Sequence, residues 1–123
     1  MKTFAICFIW LYAILSGCAK RFVPITDPAY AIGVVNAYNG STYGYVDFHY
    51  SAQQKTIYCN YPSGHNGWNI PTNANIKTGD MFMVQYSISN MSDARMLFCY
   101  KVNDSTDYNN YIASFATTAP NCK

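Results

Sequence analysis

The sequence contains no glutamate, and only 11% of its 123 residues are charged. Aspartate is therefore the only acidic side chain, and Asp104 and Asp107 are the only two that lie close together in the chain. This leaves few candidates for the paired carboxylates of a glycosidase. The net charge is only +2, and Lys20-Arg21 are the only adjacent cationic residues. Because no basic stripe is present to neutralise a run of phosphates, we expect no nucleic-acid partner.

Motifs for catalysis and for metal binding are also absent from the sequence. There is no Gly-x-Ser-x-Gly elbow and no glycine-rich phosphate loop. The metal candidates are His49, His65, Cys59 and Cys99, but no two of them show a tight ligand spacing such as Cys-x-x-Cys. A thiol site of His49 with Cys59 or Cys99 is a weaker explanation of these cysteines than a disulfide or burial. We therefore expect no metal, no cofactor and no catalytic residue, and hence a protein that is not an enzyme.

The longest apolar run, from Thr3 to Leu15, is short for a membrane span. As a helix it would cover roughly 20 Å, whereas the hydrocarbon core is roughly 30 Å thick. It follows a positive start, Met1-Lys2, and is followed directly by small residues. This arrangement is typical of a signal peptide.

The residues after this run, Leu15-Ser16-Gly17-Cys18, resemble the bacterial lipobox, Leu-(Ala/Ser)-(Gly/Ala)-Cys, at all four positions. The resemblance implies cleavage before Cys18 and a diacylglycerol thioether on its sulfur. A lipid carrying two or more acyl chains would hold the protein firmly on a membrane, because each buried CH₂ contributes about 0.8 kcal/mol. The alternative is a cut after Ala19 by general signal peptidase, which would release a secreted protein.

This assignment divides the chain into three parts. Residues 1–17 are the lipoprotein signal peptide, residues 18–29 are the lipid anchor and a tether, and residues 30–123 are a small β domain with a C-terminal helix. The predicted location is the bacterial cell envelope, at the outer membrane with the domain on its periplasmic or surface side.

Alternating polar and apolar residues predict five strands in the mature chain. They cover Tyr30–Tyr38, Thr42–Tyr50, Lys55–Asn60, Met81–Ser87 and Ala94–Val102. Asn39-Gly40 predicts a hairpin with a type I′ turn, in which both central residues have positive φ. Ser51–Gln54 is predicted to be a second, polar turn. The stretch Tyr61–Asp80, which is rich in asparagine, glycine and proline, is expected to be a long loop.

The last segment of the chain has the periodicity of a helix. Tyr108, Tyr111, Ile112 and Phe115 are spaced as i, i+3, i+4 and i+7, which places them on one helix face. Thr106 or Asp107 is the expected N-cap. The predicted fold is mainly β: a small five-stranded SH3-like barrel or roll with a short C-terminal helix.

The segment 77–95 resembles a pattern found in small bacterial β-barrel domains of unknown function, many of which are lipoproteins or membrane-tethered. In that pattern a Gly-Asp turn leads into a strand ending in Val-x-Tyr, followed by an Asn-Pro turn and then a small residue and arginine. The matching residues are Gly79, Asp80, Val84, Tyr86, Asn90, Ala94 and Arg95. Met91 replaces the usual proline, which predicts a looser turn. The resemblance implies the fold and no particular activity.

Three cysteines, Cys59, Cys99 and Cys122, remain if Cys18 carries a lipid and Cys7 is removed with the leader. An oxidising compartment then allows one disulfide and one remaining thiol. Cys122 is placed to join the C-terminal tail to either of the other two, and the sequence does not choose between them.

Aromatic residues are the best candidates for binding, because tyrosine and tryptophan combine a large contact area with a polar tip. The candidate ligand contacts are Tyr43 and Tyr45 on the second predicted strand and His65 and Trp68 within the long loop. Cross-strand tyrosine pairs that only stabilise the sheet are the simpler explanation for most of the tyrosines.

Three functions follow from these features. The first is a membrane-anchored, non-catalytic interaction or structural module that binds an envelope protein or glycan. The second is a carbohydrate- or peptide-binding lipoprotein that uses the 61–80 loop. The third, with the least support, is a small secreted hydrolase.

Overall fold

A computed structural model of the protein describes residues 25–41, 44–62 and 70–122. Its elements are β1 (Pro28–Asn39), β2 (Tyr45–Ala52), β3 (Lys55–Pro62), β4 (Met81–Ser87), β5 (Ala94–Lys101) and the helix α1 (Ser105–Phe115). The strands pair antiparallel in one sheet, in the order β3-β2-β1-β4-β5. The prediction of a mainly β domain with five strands and a short C-terminal helix is confirmed. The sheet is open, with β3 and β5 as its edges, which fits the expected roll and not a closed barrel.

The long central strand β1 pairs with two neighbouring strands. Its first part pairs with β4, from Pro28 to Val34, and its second part pairs with β2, from Gly33 to Asn39. A β-bulge at Asn36 interrupts the second ladder, because Val35 pairs with Phe48 whereas Ala37 already pairs with Asp47. The extra residue shifts the alternation by one. Strict alternation places Ala37 on the face of Val35, but after the bulge Tyr38 packs against the same core instead.

The turn at residues 77–80 holds this bulge in place. Val35 N donates to Asp80 O at 2.9 Å, and Gly79 N donates to Val35 O at 2.8 Å. Thr78 Oγ1 donates to the carbonyl of Asn36 at 3.1 Å. Gly79 has a φ of 92°, which glycine adopts without strain. The Gly-Asp pair identified in the sequence therefore supports the irregular part of β1.

The inner face of the sheet carries the larger core. Phe48, Tyr50, Val35, Val46, Val84 and Met96 are its most deeply buried side chains. Gly33 lies between them, and a Cβ at this position would collide with the side chain of Val84. Glycine at this position of β1 therefore allows the side chains of neighbouring strands to pack closely.

The outer face is covered by α1 over β4, β5 and the first part of β1. Met83, Leu97 and Val102 are buried there, packed against the helix residues Tyr108, Tyr111, Ile112 and Phe115. The phenyl ring of Phe115 lies 4.7 Å from the ring of Tyr30 and 4.9 Å from that of Tyr100, measured between centroids. The helix face predicted from the periodicity is the one that contacts the sheet.

Two local predictions were wrong. The two-residue hairpin turn is at Gln53-Gln54, where φ is 51° and 63°, and not at Asn39-Gly40. Asn39 still pairs with Tyr45, so the connection between β1 and β2 takes five residues. The N-cap of α1 is Asp104, whose Oδ1 accepts from Asp107 N at 3.0 Å. It was missed because Thr106 and Asp107 lie closer to the first apolar residue of the helix face, whereas the helix begins at Ser105.

Asp27 fixes the N-terminal end of the folded domain. Its Oδ1 accepts from Ser87 Oγ at 2.7 Å, and its Oδ2 accepts from Ser89 N at 2.8 Å. Hydrogen bonds from Ser87 and Ser89 lower the pKa of this carboxyl from 3.8 to about 2. Asp27 is thereby attached to the turn between β4 and β5, one residue before β1 begins.

The C-terminal tail is attached to β5 by a disulfide between Cys99 and Cys122, with a Cα–Cα distance of 5.6 Å. Cys59 is buried on the inner face and is not part of this bond. Of the two pairings left open for Cys122, the structure has the one to Cys99. None of the helices in the described part of the chain is long and apolar enough to cross a membrane.

Candidate functional site

An open cavity of about 610 Å³ lies where the end of β1, the start of β2 and the β3–β4 loop meet. We call it the turn cavity. The described residues that line it are all uncharged: Tyr38, Asn39, Gly40, Ser41, Tyr45, Asn73 and Ala74. Its volume falls in the range of about 300–1,000 Å³ that is usual for small-molecule sites.

Backbone hydrogen bonds shape the wall of the turn cavity. The Tyr38 hydroxyl donates to the carbonyl of Pro71 and accepts from Ala74 N at 3.3 Å. Asn73, with a φ of 53°, donates its backbone N–H to Gly40 O at 2.9 Å. These contacts attach the loop to the end of β1 and hold this wall of the cavity in place. Gly40 is required because a Cβ there would lie only 2.8 Å from Asn73 N.

The side chains of the turn cavity favour a neutral, polar ligand. Asn39 Oδ1 already accepts from Ser41 N at 2.9 Å, and this hydrogen bond orients the amide group. Tyr45 is 38% exposed, so part of its ring is open to contact. Amide and hydroxyl groups beside an exposed tyrosine ring suit the hydroxyl groups and apolar faces of a sugar, or the amides of a peptide.

A second cleft, of about 420 Å³, lies on the outer face beside α1. It is lined by Tyr30, Ala31, Ile32, Val34, His49, Tyr50, Ser51, Tyr86 and Tyr108. His49 Nδ1 is 2.8 Å from Asn36 Oδ1, and its ring centroid is 5.7 Å from that of Tyr58. This cleft combines aromatic and aliphatic walls with a single imidazole.

The strands separate His49 from the cysteines that were considered with it. His49 pairs with Tyr58 on the outer face, whereas Cys59 pairs with Phe48 and is buried on the inner face. Cys99 is in the disulfide with Cys122. Within residues 25–41, 44–62 and 70–122, no three His, Cys, Asp or Glu side chains are arranged to hold a metal ion.

The structure brings together some of the residues singled out in the sequence. Tyr45 shares the turn cavity with Asn73 of the long loop. Cys18, Tyr43, His65 and Trp68 lie outside the described residues. Sequence reasoning missed Asn39 and Ser41, because Asn39-Gly40 was interpreted only as a turn. The sequence offered as signals only the asparagine next to a glycine and a separate stretch rich in asparagine.

Comparison with protein-family models, with curated proteins and with solved structures found no match to this chain.

Proposed function

We propose that this chain is a bacterial lipoprotein, anchored through Cys18, whose β domain is a non-catalytic interaction module of the cell envelope. The observation that carries the proposal is Leu15-Ser16-Gly17-Cys18 at the end of an apolar leader. The position of Asp27 is consistent with it. Because Asp27 is held against Ser87 and Ser89, the segment from Cys18 to the folded domain spans at most about 30 Å when fully extended. The domain would therefore stay close to the membrane.

Mass spectrometry of the mature N-terminus tests this proposal. We expect a peptide beginning at a diacylglycerol-modified Cys18. Cys18→Ser should lose the modification and leave the membrane fraction, whereas the matched leader variant Cys7→Ser should keep both. A free N-terminus at Lys20 in the protein without substitutions would contradict the proposal and support the secreted alternative.

We propose as a second candidate that the module binds a neutral glycan or an uncharged peptide in the turn cavity. This candidate is favoured by the geometry of the cavity, in which the uncharged side chains of Tyr45, Asn39 and Asn73 lie along one wall held by backbone hydrogen bonds. It extends the first proposal, because an envelope module needs a surface for its partner.

Binding to panels of neutral oligosaccharides and uncharged peptides tests this candidate. Tyr45→Ala should weaken binding about tenfold or more, because an aromatic ring in contact with a ligand contributes on this scale. Tyr45→Phe keeps the ring and should retain most of the binding. Ile88→Ala is the matched control, since Ile88 is 54% exposed and does not line the cavity. Equal binding by Tyr45→Ala and Ile88→Ala would exclude the turn cavity as the site.

A further inference from the structure

The edge strand β3 has an unbroken ladder with β2 on one side. The register runs from Ala52↔Lys55 to Tyr45↔Pro62 without a bulge. In the part of the chain that the structure describes, no strand pairs with its other side. A regular strand of eight residues therefore lies at the margin of the sheet, and no described strand pairs with its second row of backbone groups.

The turn at Gln53-Gln54 determines which backbone groups point outward. In a two-residue hairpin the residues that flank the turn form a hydrogen-bonded pair, and the pairs alternate from there. Thr56, Tyr58 and Asn60 therefore fall at non-hydrogen-bonded positions opposite β2, with their N–H and C=O groups directed away from the sheet. All three residues are exposed, and Tyr58 is 75% exposed.

The composition of this edge does little to prevent strand pairing. Proteins protect edges with charged residues, prolines and bulges. In β3 the only charged residue is Lys55 at its start, and the only proline is Pro62 at its end. Between them the sequence Thr-Ile-Tyr-Cys-Asn-Tyr is uncharged and has high strand propensity.

We propose that β3 is a self-association edge, which pairs antiparallel with β3 of a second copy around a two-fold axis at Tyr58. In this register Tyr58 faces Tyr58 of the other copy, and Thr56 faces Asn60 of the other copy on both sides of the axis. Each facing pair exchanges two backbone hydrogen bonds, which gives six and joins the two sheets into one. This is the isologous arrangement of a two-fold dimer.

The positions of Lys55 and Pro62 favour a second copy in this register. The two Lys55 side chains would lie at opposite ends of the paired strands, about 20 Å apart and well beyond the Debye length of about 8 Å. Pro62 lacks an N–H, so the ladder would stop after Asn60. The pairing would also place two exposed tyrosines side by side, an aromatic cross-strand pair that stabilises a sheet. This proposal does not depend on the lipid anchor.

Charge variants of the facing pair test this register. T56K/N60K places two lysines opposite each other on both sides of the axis, and should weaken self-association about tenfold. T56K/N60D changes the same two positions but places lysine opposite aspartate, and should restore the association. The measurement is sedimentation equilibrium of the protein purified from its own host, in the mature form that the host produces. A chain that stays monomeric to several hundred micromolar, or two variants that associate equally, would overturn the proposal.

Photocrosslinking in the living cell tests the contact directly. With p-benzoylphenylalanine in place of Tyr58, we expect crosslinks to residues 56–60 of a second copy. The same amino acid in place of Ile88, which is exposed at the β4–β5 turn, should not give them. Crosslinks from position 58 to residues 1–24 or 63–69 of the same chain, or to a different protein, would overturn the proposal.

Discussion

The two edge strands of the sheet, β5 and β3, differ in the contacts that the rest of the chain makes with them. At β5 the C-terminal tail returns to the strand: Cys122 is bonded to Cys99, and its Sγ accepts the backbone N–H of Cys99 at 3.3 Å. The hydroxyl of Tyr111 in α1 donates to Lys101 O at 2.7 Å. At β3 no described residue makes a comparable contact with the outward groups. Among the described residues, the chain's own tail thus contacts one edge, and none contacts the outward backbone groups of the other.

Removal of the disulfide should produce the largest effect at the protected edge. Cys99→Ser combined with Cys122→Ser opens a loop whose ends are 23 residues apart. We expect the free energy of unfolding to fall by about 3 kcal/mol, because the unfolded chain regains the entropy of that loop. Urea denaturation of the variant and of the unmodified protein measures the difference. A change below about 0.5 kcal/mol would mean that the tail contributes little to the stability of this edge.

The next largest difference is expected when an aromatic residue is truncated near each edge of the sheet and the losses of stability are compared. Phe115→Ala removes a half-buried ring that contacts Tyr30 and Tyr100, and should cost about 2 kcal/mol. Tyr58→Ala on the open edge removes an exposed ring, and should change stability of the dilute protein by less than about 0.5 kcal/mol. Thermal unfolding of both variants measures the contrast, and equal losses would show that β3 is covered in the dilute protein.

Acid should weaken the attachment at Asp27, next to the β4–β5 turn. Because folding lowers the pKa of this carboxyl, its stabilising contribution is complete above pH 3.8 and is lost as the pH falls through about 2. Asp27→Asn should abolish this part of the pH dependence. An NMR titration of the Asp27 carboxyl measures the pKa directly, and a midpoint near 3.8 would show that the hydrogen bonds from Ser87 and Ser89 do not form in solution.

The smallest expected effect is a difference in amide hydrogen exchange between individual residues of β3. In dilute protein the amides of Thr56, Tyr58 and Asn60 should exchange quickly, whereas that of Ile57, which faces β2, should be protected. Raising the concentration should slow the first three and leave Ile57 unchanged. Protection of Tyr58 that is already complete at the lowest concentration would mean that another part of the chain covers the edge.

The approximate positions of the strands were predicted from the sequence, because side chains that alternate between polar and apolar indicate a strand whose two faces have different surroundings. The bounds of β4 are those predicted, and the alternation of β2 and β3 assigned their faces correctly. The helix face was also correct. These features depend on local periodicity, which a single sequence contains.

Features that depend on contacts distant in the sequence were not predictable. A turn within Ser51–Gln54 was predicted, but the positive φ of Gln53 and Gln54 was not, because neither is glycine or asparagine and the flanking ladder imposes it. The choice of Cys99 for Cys122 depends on the path of the tail after α1. At the candidate site, Tyr45 was anticipated from its type, but Asn39 was not, since only the fold brings it opposite Asn73.

The bulge at Asn36 separates two parts of β1 that position different features of the domain. Before it, the register with β4 positions the helix-covered core; after it, a shifted register with β2 positions Tyr38 and the wall of the turn cavity. We therefore expect substitutions at Asn73 and Ala74, which line the cavity, to leave the strands under α1 in place.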